Sequence, residues 1–481
     1  MHTRRRHPAL TIPLLFLLVL AQLPLLRGEP RGGEAARPNL VVIFCDDLGY
    51  GDIGCFGARG IRTPSIDSLA RAGTRFTSFY VAQPVCSASR AALMTGCYPN
   101  RIGIHGALGP SAKTGLSTNE WTLARMLKSR GYATALFGKW HLGRPEPFLP
   151  THHGFDEYLG LPYSNDMWPN HPTAKPGDYP PLPLIEGDRV IETMPDQRFL
   201  TRRYTERAVS FIDRHHGEPF FLYLAHSMPH VPLFVSPEFE GHSQGGLYGD
   251  VIEEIDWSVG RILEALKRHG LVEQTWIIFT SDNGPWHAYG NHAGSAGPLR
   301  EGKASVFEGG VRVPCVMSWP GHIPEGRTCA EPLMTIDLLP TVARVTQSQP
   351  PSLPIDGRDA WPLIHGDPEA RSPQEAYFFY YETGQLQAMR AGRWKLHFPH
   401  TALVMNGRPG GLGGRPHPHQ RLPVGLELYD VTSDPGERRN IAARHPDVLE
   451  RLQREAEKAR AELGDSLEHR TGAGVREPGS L

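Results

Sequence analysis

The feature that most constrains this chain is a series of short apolar runs, rich in β-branched and aromatic residues, separated by stretches of helical periodicity. The runs are Leu40-Val41-Val42-Ile43-Phe44, Thr134-Ala135-Leu136-Phe137, Phe220-Phe221-Leu222-Tyr223-Leu224, Trp276-Ile277-Ile278-Phe279-Thr280 and Val313 to Ser318. A strand without polar alternation needs apolar cover on both faces, as in a parallel sheet sandwiched by helices. Between the runs lie a predicted helix from about Trp121 to Arg130, stopped by Gly131, and a long amphipathic one. The long helix carries Val251, Ile255, Val259, Ile262, Leu263 and Leu266 on one face and closes at Gly270. The expected fold class is α/β, with a large, mostly parallel central sheet.

After about residue 370 the pattern changes to short strands without helices between them: Ala376–Tyr381, Leu386–Arg390, Trp394–Phe398 and Leu426–Tyr429. A helix opening at Pro446 shows Leu449, Leu452, Ala456, Ala459 and Leu463 on one face. This predicts a small C-terminal antiparallel sheet with one packed helix. The Gly/Pro/His-rich stretch from Arg408 to Gln420 reads as a mobile loop whose His417 and His419 are solvated. The expected boundaries are a signal peptide over 1–28, a catalytic domain over 36–370 and a C-terminal subdomain over 371–481.

The signal peptide rests on Arg4-Arg5-Arg6 followed by an apolar stretch from Leu10 to Leu26, broken by Pro13 and Pro24. No other stretch is long and apolar enough to cross a bilayer, so export without stable membrane insertion is expected. The chain holds no Asn-x-Ser/Thr sequon, which favours a bacterial periplasm or secretion over a lysosome. Lys and Arg (50) balance Asp and Glu (51), which argues against a nucleic-acid partner. Six cysteines are too few for a disulfide scaffold at this length, though Cys315 and Cys329 could pair across a short loop in an oxidising compartment.

In α/β sheets ligands bind beyond the carboxyl ends of the strands. Here those ends deliver Cys45-Asp46-Asp47, Gly138-Lys139-Trp140-His141, His226 with His230, and Ser281-Asp282-Asn283-Gly284. Asp46, Asp47, Asp282 and Asn283 are oxygen donors suited to a hard cation such as calcium or magnesium rather than zinc. Cys86 opens a predicted helix in Pro84-Val85-Cys86-Ser87-Ala88-Ser89-Arg90, where the backbone amides and Arg90 attract an anion. With Lys139, His141, His230 and Lys303 this makes a cationic cradle around one nucleophile, suited to a small anionic ester. His226, Cys45, Trp140 and Trp286 are expected to be structural or pocket walls.

The ordered blocks Asp46 to Asp52, Cys86-Ser87-Ala88-Ser89-Arg90 with Leu93-Met94-Thr95-Gly96, Gly138 to Gly143, Ser281 to Gly284, and Gly302-Lys303 with Glu308 to Pro314 resemble those of the type I sulfatases. The arylsulfatase A and N-acetylgalactosamine-6-sulfatase group looks most similar, helped by Leu161-Pro162-Tyr163-Ser164. Ala88 stands where many members have Pro, and Cys97 where an Arg commonly follows the Thr-Gly.

The resemblance implies an alkaline-phosphatase-like sandwich and calcium-dependent hydrolysis of an aryl or carbohydrate sulfate. Cys86 would be converted by a formylglycine-generating enzyme to Cα-formylglycine (3-oxoalanine), a built-in cofactor. One hydroxyl of the aldehyde hydrate attacks sulfur, and the other expels sulfate by re-forming the carbonyl. One calcium ion would be bound by Asp46, Asp47, Asp282, Asn283 and residue 86. Asp282 could also take the proton from the attacking hydroxyl. Arg90 would hold the modified residue, and Lys139, Lys303, His230 and Ser164 would contact substrate. His230 would protonate the departing alcohol, with Lys303 as a possible helper, and His141 would take a proton during elimination. The alternatives are a phosphate or phosphonate monoester hydrolase on the same fold, and a sulfated-glycan-binding protein with unconverted Cys86.

Overall fold

A computed structural model describes residues 1–3 and 37–481; the expected signal peptide, apart from its first three residues, lies outside the described residues. The strand at the centre of the main sheet is β1 (Asn39–Cys45), buried along its whole length. The other strands are β2 (Thr74–Tyr80), β3 (Ala133–Gly138), β4 (Glu157–Gly160), β5 (Pro183–Glu186), β6 (Arg189–Thr193), β7 (Phe220–Ala225), β8 (Thr275–Ser281), β9 (Arg312–Ser318), β10 (Arg327–Cys329) and β11 (Leu333–Met334). Their order is β10-β2-β9-β8-β1-β7-β3-β4-β5-β6, with β11 also paired to β2.

The block β8-β1-β7-β3-β4 is parallel, with Val42 in register with Tyr223 on one side and Ile278 on the other. Strand β9 is antiparallel to both β8 and β2, so β2 points the same way as the parallel block. The predicted strands are present, with β9 reversed.

The apolar runs are two-faced, as their lack of alternation requires. Leu40, Val42 and Phe44 join Met94, Leu127 and Leu339 in one core. These come from the helices Cys86–Thr95, Leu123–Ser129 and Leu338–Thr346. Val41 and Ile43 join Phe211 and Ile255 in the other core, from the helices Leu200–His215 and Gly246–Arg268. Each such fully buried side chain contributes about 1.5–3 kcal/mol. The helix expected from Trp121 begins at Leu123 because the Thr122 side chain caps it, accepting from the Arg125 amide at 3.0 Å.

A four-stranded antiparallel sheet is formed by Tyr377–Tyr381, Gln385–Ala391, Trp394–His397 and Glu427–Asp430. The helix Pro446–Leu463 buries Val448, Leu452, Ala456, Ala459 and Leu463, with Leu449 only half-buried. The segment 408–420, expected to be a loop, has no helix or strand before Gln420 and makes hydrogen bonds to the segment 288–291. The amides of Gly411 and His417 both donate to the Ala288 carbonyl at 2.8 Å, and the Gly413 amide donates to Asn291 Oδ1 at 3.0 Å.

The possible Cys315–Cys329 pair is ruled out by register. Both residues stand opposite Phe76, on opposite sides of β2, and all six cysteines are free thiols. Two strand spacings make about 9–10 Å, beyond the reach of a disulfide. Residues near the end of the numbering return to the first half of the chain: Gly479–Ser480 pairs with Thr114–Gly115, and Arg476 donates to Glu120 at 2.7 Å and to Cys97 Sγ at 3.4 Å. Among the described residues no helix is long and apolar enough to cross a membrane.

Candidate active site

Six strands end at one edge of the main sheet, and the residues just beyond their ends form the site. Asp46 and Asp47 follow β1, the turn to Cys86 follows β2, Lys139 and His141 follow β3, Ser164 follows β4, His230 follows β7, and Asp282 and Asn283 follow β8. Because β9 runs the other way, the segment preceding it brings Lys303 to the same edge. Asp47 and His141 hold left-handed backbone (φ 67° and 62°), which redirects their side chains at the strand ends.

Every predicted site residue is buried. Cys86 is the first residue of the helix Cys86–Thr95, its Sγ 3.5 Å from Asp46 Oδ1 and 3.3 Å from Lys303 Nζ. Arg90, one turn on, donates through Nε and Nη2 to Asp282 Oδ2 at 3.1 and 2.9 Å and through Nη1 to the Lys139 carbonyl at 3.0 Å. Lys139 Nζ bridges Asp46 Oδ2 and Ser164 Oγ (2.5 and 3.1 Å). Lys303 Nζ donates to Asp47 Oδ1 at 2.6 Å and lies 4.6 Å above the Trp286 ring. Asn283 Nδ2 donates to the same Asp47 oxygen at 2.7 Å.

Two histidines are fixed by backbone carbonyls, which can only accept, so the tautomers follow. His230 Nδ1–H donates to Val231 O at 2.6 Å, turning Nε2 toward Asp47 Oδ2 at 3.5 Å. His141 Nε2–H donates to Leu108 O at 3.0 Å, and its buried Nδ1 has no partner. Leu108 left no trace in the sequence because it acts through its main chain. Its own amide donates to Ser87 Oγ at 2.9 Å, tying it to the start of the Cys86 helix.

Asp47 Oδ2 and Asn283 Oδ1 are also buried without hydrogen-bond partners. Orphaned acceptor oxygens beside Asp46 and Asp282 are what an oxygen-seeking cation requires. Ligand atoms of Asp46, Asp47, Cys86 and His230 lie within 4.8 Å of one another. Three carboxyl groups (Asp46, Asp47, Asp282) face three cations (Arg90, Lys139, Lys303), so a divalent ion would leave the site with at least two positive charges in excess, fit for an anion.

The electrostatics set protonation. Burial opposes ionisation of Asp46, but Lys139, His230 and Arg90 outweigh it and hold the carboxyl well below its usual range. Burial and the neighbouring Asp46 charge push Asp282 up. Burial alone would lower both lysines, but their carboxylates hold them above the usual ammonium range. Burial, only partly offset by Lys139 and Lys303, raises the Cys86 thiol far above its ordinary value. Residue 86 as cysteine is therefore a protonated, weakly nucleophilic thiol. Burial, then Lys139 and Arg90, hold His141 well below the usual imidazole range, so it is neutral.

His226 is structural: it is fully buried, bonded to Ser258 Oγ at 3.2 Å, and pushed down to about 3 by burial. Below about pH 6.5 the unfolded chain gains this proton and the folded one does not, so stability falls with pH across that window. His226→Gln should remove about 2–3 kcal/mol of the stability lost between pH 7 and 4.5, read from urea midpoints at the two pH values.

The chain is similar to known proteins over most of its length. A family model described as Sulfatase matches residues 38–348, one described as the C-terminal region of aryl-sulfatase matches 372–471, and one described as N-sulphoglucosamine sulphohydrolase, C-terminal, matches 302–399. Arylsulfatase A of Bos taurus is 41% identical over 430 residues, covering 85% of this chain and 84% of the relative. N-acetylgalactosamine-6-sulfatase of Canis lupus familiaris is 36% identical over 457 residues, covering 89% and 86%. The crystal structure of PsFucS1 sulfatase from Pseudoalteromonas sp. superposes with a TM-score of 0.78 at 28% identity, covering 88% of this chain and 91% of that one.

Proposed function

This chain belongs to the sulfatase family and is a sulfuric ester hydrolase, and from that premise we propose that Cys86, converted to formylglycine, is its nucleophile and that calcium is its metal. The observation that carries the reading is the place of residue 86: it is buried at the first turn of its helix, 3.5 Å from Asp46 Oδ1 and 3.3 Å from Lys303 Nζ, where the strand-end carboxylates and cations converge on it. A hydrated aldehyde there supplies one hydroxyl to attack sulfur and a second to release it. The orphaned oxygens of Asp47 and Asn283, with the carboxylates of Asp46 and Asp282 and residue 86, would hold a calcium ion, which when bound would supply charge to polarise the sulfate.

The chain's own residues divide the remaining work. Arg90 fixes Asp282 and the base of the helix that presents residue 86. Lys139 and Lys303 each keep unused ammonium donors for sulfate oxygens, and Ser164 orients Lys139 toward the substrate. His230, its Nδ1–H held by the Val231 carbonyl, delivers a proton to the departing alcohol only as the imidazolium, from Nε2, and is left as the neutral Nδ1–H tautomer. His141, its Nε2 occupied by Leu108, can accept only at Nδ1, and it takes the proton of the second hydroxyl. The substrate is an aryl or carbohydrate sulfate, the transient partner is a formylglycine-generating enzyme, and the working compartment is an exported one.

Mass spectrometry of the peptide Phe76–Arg90, from protein co-produced with a formylglycine-generating enzyme, tests the reading. Replacement of the thiol sulfur by an aldehyde oxygen is expected. An intact thiol under these conditions would remove the nucleophile and leave a sulfated-ligand-binding protein. Rates on matched aryl sulfate and aryl phosphate esters separate sulfatase from phosphatase, and sulfate is expected to be the faster.

A further inference from the structure

The segment 300–312 carries Lys303 and lies between the active site and the C-terminal four-stranded sheet. Toward the site it is laced to both neighbouring strand ends. The Lys303 amide donates to Pro285 O at 2.9 Å, the Ala304 amide to Pro84 O at 3.0 Å, and the Gly284 amide to Gly310 O at 3.1 Å. Its backbone is strained on both sides of the lysine, with φ of 57° at Glu301 and 70° at Ala304. Each such residue costs on the order of 1–3 kcal/mol and persists only if its surroundings hold it. There is no slack within the loop: a Cβ on Gly309 or Gly310 would lie 2.0 or 1.9 Å from the carbonyls of Glu301 and Ser305.

The hold comes from outside. Glu308 Oε1 accepts from Lys395 Nζ at 2.9 Å, and Oε2 accepts from Tyr80 Oη at 2.6 Å and pairs with Arg312 at 3.1 Å. The Glu308 amide donates to Glu437 Oε2 at 2.7 Å. Glu437 Oε1 lies 3.3 Å from Lys395 Nζ and 2.7 Å from His397 Nε2, and its carbonyl accepts from Arg300 Nη1 at 3.1 Å. The side chains of Glu308, Lys395, His397 and Glu437 are fully buried. Lys395 and His397 belong to the C-terminal sheet, and Glu437 follows its last strand. A buried ion network of this size is poor evidence for stability, since apolar packing would serve as well, but it fixes one geometry.

We infer that Lys395 and Glu437 are positioning residues that, through Glu308, hold Lys303 in the active site, so that the C-terminal sheet completes the site. The inference rests on Lys303 contacting sulfate, as proposed above.

A double-mutant cycle on the converted protein tests it. Lys303→Ala, Lys395→Met and the double variant are compared for kcat/KM on 4-nitrophenyl sulfate and for inhibition by inorganic sulfate. Lys395→Met alone should lower kcat/KM by about tenfold or more and weaken sulfate inhibition in parallel, because a lysine displaced by an ångström loses its contact. On the Lys303→Ala background the same change should alter either quantity less than about twofold, since nothing remains to position. Effects that multiply in the double variant, or a lowered Tm with intact sulfate inhibition, would overturn the coupling. Sulfate inhibition untouched by Lys303→Ala would overturn the assignment of Lys303 itself, a distinct result. Should Lys395→Met fail to fold, Glu437→Gln enters the same cycle under the same criteria; it keeps an acceptor for the Glu308 amide while weakening the Lys395 pair.

Discussion

Cys86→Ala should reduce turnover of an aryl sulfate by roughly 10⁴–10⁶-fold, the scale set by deleting the nucleophile of a hydrolase, while leaving Tm nearly unchanged. The second half of that expectation follows from packing. Alanine keeps the helix-forming first position, and the lost contacts are a 3.5 Å thiol interaction with Asp46 and a 3.3 Å one with Lys303. Cys86→Ser separates chemistry from packing more sharply. A serine hydroxyl can accept the sulfuryl group but has no second hydroxyl with which to expel it. The expected result is one equivalent of alcohol released per protein, no catalytic release of sulfate, and a sulfated Phe76–Arg90 peptide by mass spectrometry. Multiple turnovers by the serine variant would refute the two-hydroxyl chemistry, whatever the state of the wild-type residue.

Asp282→Ala should abolish activity and, with it, thermal stabilisation by calcium. The carboxylate has two duties: Oδ2 receives both Arg90 donors, and Oδ1 receives the Asp47 amide at 3.1 Å. Removing it leaves a fully buried guanidinium with its Lys139 carbonyl bond, a 3.6 Å approach to Asp46 and the Phe44 ring 5.4 Å away, but without its bidentate carboxylate partner. Breaking a buried pair in this way costs about 3–5 kcal/mol, so the variant should also melt earlier without added metal. Asparagine offers no clean substitute, because its amide would turn a donor toward Arg90 or toward the Asp47 amide. The check is Tm with calcium and with a chelator. Wild type should show a calcium-dependent rise and Asp282→Ala none, and a retained rise would sink the metal assignment.

The sequence made the parallel core legible because burial on both faces leaves an unmistakable mark: β1 and β7 are nearly free of polar residues, and β8 keeps its polar residues at its two ends around Trp276-Ile277-Ile278-Phe279. Once those strands are placed, the rule that ligands gather beyond their carboxyl ends points to Asp46, Lys139, His230 and Asp282 without further information. Strand β2 is a different case. Thr74-Arg75-Phe76-Thr77-Ser78-Phe79-Tyr80 mixes polar and apolar residues and has neither a continuous apolar run nor a clean alternation, and the strands that flank it, β9, β10 and β11, lie far away in sequence. Yet β2 aims the turn that carries Cys86. The same limit hid the hold on Lys303, since Glu308, Lys395 and Glu437 meet only after the C-terminal sheet has docked. Leu108, acting on His141 through a carbonyl, carries no side-chain signature at all.

The pairing of Gly479–Ser480 with Thr114–Gly115 bears on how the protein is made. Arg476 reaches Glu120 across 356 positions and Cys97 across 379, so the cover over the stretch 97–120 is closed by residues that leave the ribosome long after it. Contacts of such separation form late and slowly, and until they form the surfaces they will bury stay open. A nascent chain of this design leaves the surface around residues 97–120 without that cover for most of its synthesis, tens of seconds at about 5–20 residues per second. Tags or truncations near residue 476 therefore act on the timing of maturation as much as on the finished molecule.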